Sequence, residues 1–187
     1  RFLFPLGGKG GWNLEVEMNI IENKNHLVRV LVVVATDAEA DSFKSIKDIV
    51  TNDNGFTFGR TEISLLITGV GSVSTSWSMT KWLSENKKPD LAINIGIAGS
   101  YREDIKIGNV VVPVTDCFAD AGIETVDGFM TLSEAGLSDP DLFPFSNGLI
   151  KADNHYTAAA TATMKPVNAI TVNTATGSEK TKERLLK

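Results

Sequence analysis

The chain lacks most of what a covalent framework or a metal centre needs. It has one cysteine, Cys117, so no disulfide can close within it and no thiolate zinc site can be assembled. Its two histidines, His26 and His155, are isolated from any spaced metal partner, and each reads as incidental. No metal and no organic cofactor are expected. Basic clusters are missing too. Lys87 and Lys88 make only a short step before Pro89, and the formal net charge is -5, which argues against nucleic acid as a partner because a phosphate backbone wants clustered Lys and Arg. No apolar run reaches the about 18 residues of a spanning helix. Leu27 to Ala35 is far too short, so no membrane partner is expected. Arg1 to Trp12 is aromatic and glycine-rich but has neither the basic flank nor the cleavage site of a secretory leader. A reducing, cytoplasmic compartment fits these absences. The first residue is Arg and the first Met is Met18; residues 1–25 are expected to be an N-terminal extension outside the fold, and 26–187 one domain.

What is present is an ordinary globular composition, 42% hydrophobic and 22% charged over 187 residues. Arg29 to Ala35 is a continuous β-branched run, the pattern of a strand covered on both faces. Thr36 and Asp37 follow as cap residues, and Phe43, Ile46, Ile49 and Val50 fall at helical spacing. Asn52 to Gly55 is turn chemistry. Glu62 to Thr68 reads as a strand, followed by Gly69-Val70-Gly71-Ser72 and a helix with Val73, Trp77, Thr80 and Leu83 on its apolar face. Leu91 to Ile97, Gly108 to Thr115 and Val167 to Asn173 are further strands, and Ser178 caps a final helix. Residues 116–166 read as a helix-poor excursion. Alternating strands and helices predict a three-layer α/β fold with a central mixed, mostly parallel sheet and helices on both faces. Ligands in such folds sit at the carboxyl ends of strands. The turns at 35–39, 68–72, 96–100 and 173–178 are therefore the places to look.

Glu39 lies in the first turn of the first helix. There its charge complements the helix N-terminus, and it could also serve as a general base activating water. Gly71 ends a strand–turn–helix junction whose N–H groups suit an anion or sugar hydroxyls, although Ser74 stands where the dinucleotide fingerprint needs a third glycine. Ile97, Ala98 and Gly99 close a strand in small residues that let a ligand lie against the backbone. Asp116 and Asp120 are further carboxylates and read as solvated loop acids. Cys117 reads as a buried structural thiol, and Trp12, Trp77 and Trp82 as packing residues.

The order of these segments (a buried strand leading to Glu39, then strand–GVGS–helix, then DLAINIGIAGS, then IKIGNVVVP) resembles the nucleoside phosphorylase/nucleosidase superfamily from about Arg29 to Lys187. DLAINIGIAGS is similar to the segment that lines the nucleoside pocket there. Thr115 to Phe145 and Ala169 to Ser178 look like futalosine hydrolases, the nucleosidases of an alternative menaquinone pathway. The resemblance implies hydrolysis of futalosine, a small-molecule nucleoside, to hypoxanthine and dehypoxanthine futalosine. Glu39 would activate the attacking water, Ala98 and Gly99 would lie beside base and ribose, and Thr174, Ala175 and Thr176 near the loop that reads the purine. It also implies a homo-oligomer. It places the purine's proton donor on an aspartate C-terminal to Lys187, so a C-terminally truncated chain with little or no activity of its own is expected. A methylthioadenosine/adenosylhomocysteine nucleosidase, a phosphorylase and a nucleoside-binding protein without catalysis remain alternatives. The first turn Thr36-Asp37-Ala38-Glu39 has two acids and no Arg, which favours water over phosphate as nucleophile.

Overall fold

Strand β1, Val28–Val34, is unbroken Val and Leu from Val30 onward, and its last four residues are buried because both of its faces are covered there. Leu31 and Val33 pack with Ala92 on one face, joined by Leu66, Met79 and Trp82. Val32 and Val34 pack with Ala40 on the other, joined by Val30, Ile63 and Leu65. Leu31 and Val34 are fully buried, and truncating Leu31 to alanine would cost about 2–5 kcal/mol. The computed structural model describes residues 27–44, 50–52, 55–152 and 161–186, in two compact units divided between Ile97 and Ala98. The expected extension 1–25, with Trp12, and both His26 and His155 lie outside the described residues.

In the first unit, β1 is the inner strand of a five-stranded sheet, ordered β2-β3-β4-β1-β5. The other strands are β2 (Val50–Asn52), β3 (Gly55–Phe58), β4 (Thr61–Ile67) and β5 (Leu91–Asn94). β4 and β5 run parallel to β1, one on each side. β3 runs antiparallel to β4, and β2 to β3. The sheet is mixed as expected, parallel at its centre and antiparallel at one edge. Gly55 opens β3 because a Cβ there would lie 2.1 Å from the Ile63 carbonyl oxygen of β4. Val50, read from its spacing as a helical residue, instead opens β2, and helix α1 is described over Asp37–Lys44. A β-branched residue at the end of a helical pattern suits a strand equally well, and periodicity over so few residues cannot separate the two.

Helix α2, Ser72–Glu85, turns a different face to the sheet from the one its apolar residues predict. Met79 and Trp82 meet the core, whereas Val73 and Trp77 are exposed. The reason is a hydroxyl seam. Ser78 donates to the Thr68 carbonyl at 3.2 Å, and the Thr75 and Thr68 hydroxyls share a bond of 3.3 Å. These satisfied polar groups sit on the inward side, where an apolar periodicity does not register them. Trp77 is thus not a core residue; Lys81 lies over its ring at 5.5 Å.

In the second unit, β6 (Val111–Asp116) pairs in parallel with β11 (Lys165–Asn168) and antiparallel with β10 (Leu149–Lys151), which pairs with β9 (Phe145–Ser146). β7 (Gly122–Thr125) and β8 (Gly128–Thr131) form a hairpin. Helix α3, Glu179–Leu185, begins at Ser178, whose hydroxyl accepts from the Thr181 N–H as expected of a cap. The strands of this unit pair among themselves, in a four-stranded sheet and a separate hairpin.

Candidate active site

Thr36-Asp37-Ala38-Glu39 folds as a capping box. The Glu39 N–H donates to the Thr36 hydroxyl at 3.3 Å, and Glu39 Oε2 accepts from the Thr36 N–H at 3.0 Å. Oε2 also accepts from the Ala35 N–H at 2.9 Å and the Thr36 hydroxyl at 3.2 Å. Oε1 accepts from the Ile97 N–H at 2.9 Å, across 58 residues of sequence. Burial pushes the pKa of this carboxyl up, but the bonds from the Ile97, Ala35 and Thr36 amides and the Thr36 hydroxyl outweigh it and hold it below the usual glutamate value. Glu39 is therefore anionic at neutral pH. It is a modest proton acceptor but a dependable negative charge, able to orient a water and to face a developing cation.

The sheet explains why these groups meet. From β1 the chain passes by way of α1 to the edge strand β2, comes back through β3 to β4 beside β1, then crosses by α2 to β5 on the other side of β1. The turns after β1 and β5 flank the point where the winding reverses, and ligands of open α/β sheets bind there, beyond the carboxyl ends of the strands. The Glu39–Ile97 bond spans that point. Gly71 ends the turn after β4, on the opposite side of β1, and starts α2 with a φ of 97° that favours glycine. A Cβ at Gly71 would meet nothing within 4 Å, so the glycine answers a backbone need and not crowding. Ile97 is 83% exposed, and its contribution to Glu39 is its amide.

The remaining expected site residues lie in the second unit. Ala98 and Gly99 are exposed, as are Thr174 and Ala175, and Thr176 is half-buried. The Tyr101 and Thr176 hydroxyls hydrogen-bond, bringing the segment after Gly99 to the 174–176 segment. Asp120 accepts from the Asn173 N–H at 2.6 Å and from its side-chain amide at 3.1 Å. Asp116, expected to be a solvated loop acid, is instead buried, and its Oδ2 accepts from the Thr171 hydroxyl at 2.7 Å. Both aspartates anchor the chain beyond β11, Asp116 through the Thr171 hydroxyl and Asp120 through the Asn173 main-chain and side-chain amides. Arg102 and Lys165 both pair with Asp104, and Arg102 first, then Lys165, hold its carboxyl far below the usual range. Cys117 is half-buried; burial and then the Asp116 charge push its thiol up, which disfavours the reactive thiolate. Among the described residues, no group of three or more His, Cys, Asp and Glu could hold a metal, and no helix is long and apolar enough to cross a membrane.

Sequence reasoning missed two contributors. Thr36 was legible as a cap, and the T-x-x-E spacing could have revealed its bond to Glu39. Tyr101 carries no signal in the sequence, because its partner lies 75 residues away.

The sequence profile described as the phosphorylase superfamily matches residues 29–187. The chain belongs to the phosphorylase superfamily. Among curated superfamily relatives, it is 30% identical to the futalosine hydrolase of Streptomyces coelicolor over 158 residues, 81% of this chain and 64% of that protein. It is 41% identical over 68 residues to a 5'-methylthioadenosine/S-adenosylhomocysteine nucleosidase of Buchnera aphidicola, 36% of this chain and 28% of that one. The chain thus spans less than two thirds of the length of these relatives. Among solved structures, the native futalosine hydrolase of Helicobacter pylori superposes with a TM-score of 0.60 at 16% identity, covering 86% of this chain and 70% of that one, which shows a shared fold.

Proposed function

We propose that this chain belongs to an N-ribosyl hydrolase that cleaves the purine from futalosine. The observation that carries this is the Glu39 carboxylate, held anionic by the amides of Ala35, Thr36 and Ile97 at the winding reversal of the sheet. Breaking an N-glycosidic bond builds positive charge on the sugar and negative charge on the departing base. A fixed carboxylate offsets the first and orients water toward the anomeric carbon, as one of two carboxyl groups does in glycoside cleavage. The nucleophile is water because the first turn of α1 carries Asp37 and Glu39, whose charges repel phosphate. Gly71, Ile97, Ala98, Gly99, Thr174, Ala175 and Thr176 are the candidate substrate-binding residues. No described residue is assigned to protonate the departing purine. The 30% identity to the Streptomyces hydrolase along 81% of this chain supports futalosine as substrate. The same reading carries release of hypoxanthine in menaquinone biosynthesis, a cytoplasmic location and a homo-oligomer.

A second reading, a methylthioadenosine/adenosylhomocysteine nucleosidase, is favoured by the higher identity, 41%, to the Buchnera protein over 68 residues. One assay separates them: free purine released from futalosine, methylthioadenosine and inosine, with and without phosphate, by this chain and by the longest gene product containing it. Hypoxanthine from futalosine, independent of phosphate, is expected from the longer product. Adenine from methylthioadenosine would transfer the assignment to the second reading, and phosphate-dependent turnover would overturn hydrolysis.

A further inference from the structure

We infer that Tyr101 is a positioning residue whose hydroxyl latches Thr176 and so holds the 173–178 loop at a fixed distance from the Ala98–Gly99 backbone. This rests on the proposed assignment of those two segments to the nucleoside. The loop joins the end of β11 to α3, and its ends are tied down. Asp120 holds the main-chain and side-chain amides of Asn173, and Ser178 caps the helix. Between these ties, Thr174 and Ala175 are exposed and lie in no strand or helix. The tie in the middle of the loop is the hydroxyl pair Tyr101–Thr176.

Tyr101 suits this task. It follows Ala98-Gly99-Ser100 directly, so its backbone moves with the small-residue segment. Its ring is a rigid spacer with a single polar tip. The next residue is fixed as well: the Arg102 N–H donates to the Ser100 hydroxyl at 3.0 Å, and the Arg102 guanidinium grips Asp104, which Lys165 of β11 also reaches. The phenol therefore projects from an anchored turn onto a loop anchored at both ends. A flat base needs a slot of fixed width, and a loop fixed only at its ends would leave that width to thermal motion at an entropic cost on binding. The latch removes that freedom before the ligand arrives.

The test compares the parent with Tyr101→Phe, Thr176→Val, Thr176→Ser and the Phe/Val double variant. Two readouts are needed: backbone order parameters of residues 174–177 from NMR relaxation without ligand, and futalosine and hypoxanthine affinity by calorimetry. Tyr101→Phe and Thr176→Val should each lower the order parameters and weaken binding about tenfold. The double variant should be no worse than either single one, and Thr176→Ser, which keeps the hydroxyl, should keep the parent's order parameters. A merely structural role would lower the melting temperature without this loop-confined, non-additive pattern. Unchanged order parameters in Tyr101→Phe, or additive losses in the double variant, would overturn the latch. If the parent binds no purine nucleoside, the nucleoside reading fails, while the order parameters still decide whether Tyr101 fixes the loop.

Discussion

Two stretches of this chain fold into the same local device and end up with different capacities. Thr36–Glu39 and Thr131–Glu134 are both T-x-x-E capping boxes. In the second, the Thr131 N–H donates to the Glu134 carboxylate at 2.8 Å and the Thr131 hydroxyl at 2.9 Å, and these bonds lower its pKa. The box faces solvent after the β7–β8 hairpin, and every partner named is three residues away. The first box follows a strand whose last four residues are buried, and a segment from beyond β5 delivers the Ile97 amide to its carboxylate. The cap comes from local sequence. A charge held where a ligand can reach it comes from the sheet, whose winding reverses beside β1.

That contrast can be broken most sharply by removing each charge. Glu39→Gln should cut hypoxanthine release by about a hundredfold or more in whichever gene product is active, the usual worth of a general base, while Glu134→Gln should stay within about twofold. Equal effects would make both glutamates structural. A smaller effect isolates the Ile97 amide. Activity that needs ionised Glu39 is present above its pKa and lost as pH falls through it, so the lowered pKa puts the acid limb below the ordinary glutamate value of about 4.3. Ile97→Pro deletes the donor. The limb should then move upward toward the ordinary value, and a pH–rate profile superposable on the parent's would remove Ile97 from the site. The smallest effect concerns the caps. Thr36→Ala should lose about 0.5–2 kcal/mol in urea denaturation, the worth of a helix cap, and Thr131→Ala less, because Thr131 heads a turn and not a helix. A larger loss for Thr131→Ala would reverse the ranking of the two regions.

Legibility in the sequence followed the range of the interactions involved. β1 was readable because its two covered faces leave an unbroken run of Val and Leu, and Ser178 because a cap bonds only three residues ahead. The inward face of α2 was not, because Thr75 and Ser78 meet the sheet through hydroxyl bonds to Thr68 that resemble surface chemistry in one dimension. The strands of residues 116–152 were missed because β7, β8, β9 and β10 have four residues or fewer, too short for an alternation to show. Of the site, the turn positions and Glu39 were legible. The Ile97 amide and the Tyr101 phenol were not, since each acts on a residue 58 or 75 positions away.

The amides around Glu39 have a consequence for the cost of reacting. A carboxylate in water is stabilised by mobile dipoles that must reorient whenever charge shifts nearby. Around Glu39, three of the dipoles belong to the peptide units of Ala35, Thr36 and Ile97, and the strands behind them fix their directions. When positive charge appears on a sugar beside this group, those dipoles are already oriented. The reorganisation that solution chemistry performs during the reaction is performed here once, when the chain folds.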